Sequence, residues 1–318
     1  MFRPQFAREN INDLEMTGRA AATLIEAFGT PDAGGWTSGE EIMPLLYNFT
    51  IDTATDFLFG ESVESQSAKL AAKRGYVERD PEKVAWFKEA QEFSDSFSIV
   101  NEYLITRIRF QSFYFLGNGL PLQRALKRVR KFTDRYVNMA VDSQRAGKSR
   151  GKKSSLVENL ATQTQDATEM RNQATALLLA GRDTTSAALG WALQRLALHP
   201  HIFERLRRAV LQDFGNGEEL TFAKLKECRY LQHFLQEVLR LHPTVPFNQR
   251  GAAKDTTLPT GGGPDGKSPI AVRKGTIVLY SVYIMQRRKD LWGEDALEFK
   301  PERWEKRYPA WQWLPLYV

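Results

Sequence analysis

The residue pattern predicts a mainly α protein: a helical body over about residues 1–245, then a small sheet and loop region over about 246–318, in one continuous domain. Three observations carry that prediction. Seven segments place apolar residues at three- and four-residue spacing. Beyond Pro246 the chain breaks into short β-like pieces divided by glycine and proline. One segment, 166–199, is long enough at about 1.5 Å per residue to span roughly 50 Å, the width of a sizeable domain.

In chain order, the helical spacing covers 12–28, 41–59, 83–109, 123–143, 166–199, 202–214 and 230–241. Asp166 with Glu169 three residues on predicts an N-cap box for the long segment, and Pro200 marks its end. Ala174, Ala176, Leu177, Leu178, Leu179 and Ala180 occupy every face of its middle, which predicts a middle buried all round. Strands are expected near 249–253, 270–272 and 276–280, with a turn-rich stretch over 259–269.

The composition excludes whole classes. With 318 residues, 42% hydrophobic and 26% charged, the chain is neither disordered nor fibrous. Its single cysteine, Cys228, cannot form an internal disulfide, which argues against a disulfide-stapled secreted scaffold. No apolar run approaches the roughly 20 residues that cross a bilayer, and the opening residues lack a signal-peptide core. Nor is the formal charge of +6 spread evenly: residues 124–153 hold eleven Lys/Arg against two Asp, so the remainder is slightly acidic. Over 123–141 those cations interleave with Leu126, Val129, Phe132, Tyr136 and Val137, the pattern of an amphipathic helix with a solvated basic face. Residues 145–155 read as a flexible loop. Membrane-surface contact is the second reading of this stretch, and nucleic acid the third, since no aromatic-interleaved basic platform accompanies it. His199, His201, His233 and His242 form no zinc set, lacking cysteine pairs or an HExxH motif, so no metal site is expected from them. The stretch 261–266 fits G-x-G-x-x-G formally, but Pro264 interrupts it and a strand-like run follows, so it reads as a turn.

Chemistry concentrates at Ala180-Gly181-Arg182-Asp183-Thr184-Thr185-Ser186, where a glycine, an acid and three hydroxyls break the apolar middle of the long helix. Gly181 lets a bulky group approach the backbone, and Asp183 beside Thr184 supplies a proton donor and a relay. Equally, the hydroxyls can bond their own backbone and bend the helix, and the heptapeptide alone leaves both readings open. Further along, Glu237 and Arg240 lie one helical turn apart, and Phe299-Lys300-Pro301-Glu302-Arg303-Trp304 offers a second arginine that could complete a cluster.

Those three elements, in that order, strongly resemble the cytochromes P450, the haem-thiolate monooxygenases. The stretches 261–270 and 280–290 resemble the fungal alkane- and fatty-acid-hydroxylating branch. The resemblance runs from residues 3–6, which look like the end of the family's C helix, to Trp313-Leu314-Pro315. It implies a cytochrome P450 fold, with the long segment as its central helix, a haem iron cofactor, and insertion of one atom of O2 into a long-chain aliphatic substrate. NADPH-cytochrome P450 reductase would supply the electrons. Asp183 and Thr184 would deliver protons to the oxygen, Ala180 and Gly181 would border the cofactor, and Arg250 would pair with a haem propionate. Glu237, Arg240 and Arg303 would form a buried triad, kept for architecture more than for net stability, since burying ions is costly. Leu177 and Ala180 are candidates to line the substrate pocket.

The family's thiolate comes from a Phe-x-x-Gly-x-Arg-x-Cys-x-Gly loop, which this sequence does not contain, and the neighbours of Cys228 match nothing in it. The fold is therefore expected to be incomplete at both ends. Complete relatives are expected on the endoplasmic reticulum membrane, whereas this chain lacks the anchor. The competing reading is a catalytically inactive helical fragment or interaction protein without haem.

Overall fold

The computed structural model describes residues 14–37, 39–75, 78–146, 155–215 and 220–307. All seven segments with helical spacing form helices. They are joined in order by shorter pieces: α1 (Leu14–Ala27), α2 (Ile42–Phe59), α3 (Ser65–Lys73), α4 (Pro81–Phe110), α5 (Leu120–Arg145), α6 (Leu156–Ala161) and α7 (Ala167–Leu198). Next come α8 (Pro200–Phe214), α9 (Phe222–Glu227) and α10 (Arg229–Leu241). Four strands follow: β1 (Phe247–Gly251), β2 (Thr256–Gly262), β3 (Ser268–Val272) and β4 (Ile277–Ser281). Short helices α11 (Val282–Met285), α12 (Lys289–Trp292) and α13 (Arg303–Arg307) end the described chain. The expectations placed on residues 3–6, on the loop at 147–154 and on 311–318 lie outside the described residues.

The chain divides into two compact units at Gly190/Trp191, with Leu220–Phe222 joining the first. In the first unit the core is aromatic. Phe93 of α4 stacks on Phe132 of α5 at 4.1 Å, and Phe59 of α2 stacks on Tyr136 at 4.6 Å. Phe132 and Val137 are essentially fully buried, each contributing roughly 1.5–3 kcal/mol of apolar burial. The basic face of α5 lies along acidic positions of α4. Lys131 and Arg135 reach Glu89 at 3.4 and 3.1 Å, and Arg128 reaches Glu92 at 3.9 Å. These are exposed pairs of small individual worth.

At the start of α7, Asp166 Oδ1 accepts from the backbone N–H of Thr168 and Glu169, so the predicted cap forms. The return half of the box does not, because the Glu169 carboxylate instead accepts from Thr164 Oγ1. A complete capping box occurs where none was expected, between Ser155 and Glu158 at the start of α6.

The second unit packs α8 against α10 through Ile202, Leu206, Phe234 and Val238, with Phe299 set edge-on to Phe234. Its strands form two antiparallel pairs, β1 with β4 and β2 with β3. Strand β2 corrects the sequence reading: it runs through Pro259 to Gly262 in the stretch expected to be turn, and only residues between Gly262 and Ser268 turn. Proline fits there because this is a two-stranded pair with a register shift between Leu258 and Gly262.

Candidate functional site

Helix α7 runs unbroken from Ala167 to Leu198, about 48 Å at 1.5 Å per residue, so the hydroxyls do not interrupt it. One face is sealed: Met170, Ala174, Leu178 and Ser186 are 0% exposed. Ser186 secures that face, donating to Arg182 O at 2.7 Å and sharing a 2.7 Å hydroxyl contact with Thr50 of α2. The expectation of a middle buried all round is corrected, because Ala176 and Ala180 are exposed on the other side. Within the first unit the core packs on one face only, so the opposite apolar strip has no cover from it.

Gly181 follows Ala180 on the helix; a β-carbon built there would make ordinary van der Waals contact with Ala54 Cβ of α2 at 3.9 Å, so the position has room for a methyl and no more than one neighbour within 4 Å. Thr184 is half-buried and donates to Ala180 O at 2.6 Å, one turn back. Of the reading in which the hydroxyls bond their own backbone, the bond is present at Thr184, without a break in the helix.

Asp183 is held differently. Its Oδ1 accepts from Arg182 Nη1 at 3.1 Å and its Oδ2 from Asn101 Nδ2, on α4, at 2.7 Å. Burial pushes its carboxyl above the usual aspartate range, against the lowering pull of Arg182 and Asn101. Arg182 in turn donates to Ser98 Oγ at 2.8 Å and lies over the Tyr47 ring at 4.7 Å. Such a raised, half-buried acid beside a hydroxyl can give up a proton and be recharged from solvent. Asn101, Ser98 and Tyr47 escaped the sequence reading. The contact between positions 101 and 183 spans 82 residues, and nothing in the local pattern of α4 signals it.

In the second unit Glu237, Arg240 and Arg303 come together. Arg240 makes a fork onto Glu237, Nε to Oε2 and Nη2 to Oε1, both at 2.8 Å. Arg303 Nε adds 2.9 Å to Oε1, the backbone N–H of Lys300 another 2.9 Å, and Trp304 Nε1 reaches Oε2 at 3.0 Å. The remaining donors of Arg240 go to the carbonyls of Gln286, Ala296 and Glu298. Glu237 and Arg240 are 0% exposed. The motif 299–304 thus supplies not only Arg303 but also the Trp304 indole, whose role no spacing rule announced.

Arg250 is exposed on β1, with its guanidinium donating to Asn248 Oδ1 and Gln249 O and lying 5.9 Å over Tyr280. Leu177 is half-buried against the core of the first unit. Cys228 is fully buried, and burial together with its bond to Asp213 pushes the thiol up. Among the described residues, no group of three or more His, Cys, Asp or Glu could hold a metal ion. No described helix is long and apolar enough to cross a membrane.

Taken unit by unit, the residues have chemistry that a haem group calls for: in the first unit the uncovered Ala176–Ala180 strip of α7 suits a flat apolar ring, and in the second the exposed Arg250 guanidinium suits a carboxylate. No residue described here supplies a thiolate.

Comparison with known proteins agrees in direction. The family model described as Cytochrome P450 matches residues 14–311. The chain is 40% identical to Cytochrome P450 monooxygenase alt2 of Alternaria solani, over 98% of this chain and 60% of that protein. It is 40% identical to Cytochrome P450 monooxygenase g430 of a Fusarium species, over 99% of this chain and 56% of that protein. It is also 40% identical to Cytochrome P450 52A10 of Candida maltosa, over 99% and 60% respectively. The chain therefore spans about 60% of the length of the curated relatives it matches.

Proposed function

The chain belongs to the cytochrome P450 family, and on that premise we propose that its protein is a haem-dependent monooxygenase that hydroxylates a long-chain aliphatic substrate, an alkane or fatty acid. The observation that carries the reading is the acid–alcohol pair Asp183–Thr184 beside the uncovered strip of α7. Inserting one atom of O2 into a C–H bond while the other leaves as water takes two electrons and two protons. NADPH-cytochrome P450 reductase would deliver the electrons. The protons must be delivered to the reacting oxygen.

When bound, a haem would supply the activation of dioxygen, and a thiolate donor would favour O–O cleavage. The chain's own residues do the rest. Ala180 and Gly181 keep backbone and β-carbons clear of the space the ring and oxygen need. Thr184 Oγ1 can leave Ala180 O and carry a proton, because a hydroxyl both donates and accepts. Asp183 holds that proton at a carboxyl raised by burial, and exchanges it with solvent through its exposed side. Arg250 pairs with a haem propionate, and the Glu237–Arg240–Arg303 triad fixes the frame of the second unit without touching substrate. Leu177 and Ala180 line the aliphatic end of the pocket. By the same resemblance, the complete protein is assigned to the endoplasmic reticulum membrane.

The test is the full-length protein with its reductase, given long-chain alkanes and fatty acids under isotopically labelled dioxygen. The expected product is an alcohol carrying one labelled oxygen. A purified full-length protein without haem absorbance and without oxygenated product would instead leave a haem-free interaction protein.

A further inference from the structure

Asp183 owes its position to α4 as much as to its own helix. Each carboxylate oxygen has one partner, and the shorter bond, 2.7 Å to Oδ2, comes from Asn101. Asn101 is only 7% exposed, and among the described residues no hydrogen-bond partner meets its Oδ1. One turn earlier on the same helix, Ser98 accepts from Arg182, so α4 grips both the acid and the cation beside it. We propose that Asn101 is a positioning residue for Asp183, bonding its ionised carboxylate in one rotamer, so that each uptake of a proton by Asp183 requires giving up or inverting this contact and each donation restores it. The proposal rests on the reading of Asp183 as the proton source.

The chemistry of the amide makes the contact sensitive to protonation. A carboxylate only accepts, so the Asn101 N–H must face it while Asp183 is ionised. Once Asp183 is protonated, its O–H needs an acceptor, and Asn101 can offer the now-idle Oδ1 by turning its amide over. A buried amide beside an acid thus favours the charged form in one orientation and accepts the acid in the other. The charged and titratable groups around the pair are Arg182 on α7, Asp95 on α4 and Tyr47 on α2. Arg182 favours the charged form of Asp183. Both direct donors therefore oppose burial, and Asn101 is the one a neutral substitution can remove without adding or deleting a charge.

Asn101→Leu, Asn101→Ser, Asp183→Asn and the Asn101→Leu/Asp183→Asn pair in the full-length haem protein provide the test, with Asn101→Ser covering the case that leucine prevents folding. Two readouts are taken across the acid-to-neutral range: stability in denaturant, and product formed per dioxygen consumed. The double-mutant cycle should show coupling at neutral pH that fades as Asp183 is protonated. Loss of the Asn101 donor should move the alkaline limb that Asp183 sets in the activity profile to higher pH, because the carboxylate loses a bond that favours its charged form and the acid keeps its proton further up the scale. A role in packing alone would lower stability and leave the limb where it is; that outcome, or a cycle without coupling at any pH, overturns the proposal. If Asp183→Asn itself leaves product per dioxygen unchanged, the proton-source reading fails instead, and the stability cycle still decides whether Asn101 holds the carboxylate.

Discussion

Replacing Glu237 by glutamine changes no volume and removes one charge from a site sealed against water. The carboxylate accepts five hydrogen bonds, three from the guanidinium groups of Arg240 and Arg303 and one each from Lys300 N–H and Trp304. A glutamine keeps one acceptor and turns an N–H toward donors that need an acceptor. Arg240 retains three backbone carbonyls and Arg303 retains Asp295 at 2.9 Å, so neither cation is stranded completely. Breaking a buried pair from one side costs about 3–5 kcal/mol, and the remaining carbonyls argue for the middle of that range, about 4 kcal/mol. Equilibrium denaturation of full-length wild type and Glu237→Gln gives the number directly. Adding Arg240→Met to Glu237→Gln should cost less than the sum of the two single changes, since the second removes a cation the first left unpaired. A single-variant loss below about 1 kcal/mol would mean an ordinary solvated ion pair, and would refute the sealed geometry.

Other expectations follow from single contacts. His242 stacks on Trp191 at 4.0 Å and accepts from Arg195; burial, then Arg195 and Arg287, push its ring down to about 4. Because the unfolded ring titrates near 6.5, unfolding takes up protons between those values. The contribution of His242 is therefore complete above about pH 6.5 and is lost as pH falls toward 4. It amounts to about 2 kcal/mol between pH 7 and pH 5. His242→Gln should flatten that part of the stability profile, and an unchanged slope would contradict the assignment. Gly181→Ala should stabilise the fold by about 0.5–1 kcal/mol, since the new methyl meets only Ala54 at 3.9 Å, while lowering oxygenase activity, because the proposed function sets ring and oxygen against this backbone. A stability gain with undiminished turnover would remove Gly181 from the site. Arg250→Ala should leave stability within about 0.5 kcal/mol and weaken haem retention, measured by transfer to a haem-scavenging protein. Equal haem loss from both proteins would exclude the propionate contact.

The long helices were legible because their apolar spacing and the Asp166 cap are local signals. Helix α3 was not: its first N–H groups, on Ser65 and Gln66, are met by Asp52 of α2, a tertiary contact with no local trace. Strand β2 was hidden by its own Pro259 and glycines, which read as turn until pairing with β3 overrides them. At the site the pattern was the same. Glu237 and Arg240 stood out only together with the 299–304 motif and the resemblance built on their order, since a Glu-x-x-Arg spacing alone is common, whereas Asn101 carries no mark on α4 and meets Asp183 only because the fold brings α4 against α7 in the first unit. The face of α7 was misjudged for the reverse reason. Apolar residues all round a helix predict cover all round, and here Ala176 and Ala180 stay uncovered where a cofactor is proposed.

The central claim is that Thr184 Oγ1 passes protons to oxygen, and product formed per dioxygen consumed in full-length Thr184→Ala tests it most directly. The account predicts that oxygen consumption continues while product falls severalfold, with the difference appearing as peroxide or water. Thr184→Ala with the wild-type ratio would contradict it, leaving that hydroxyl as nothing more than a bond to Ala180 O.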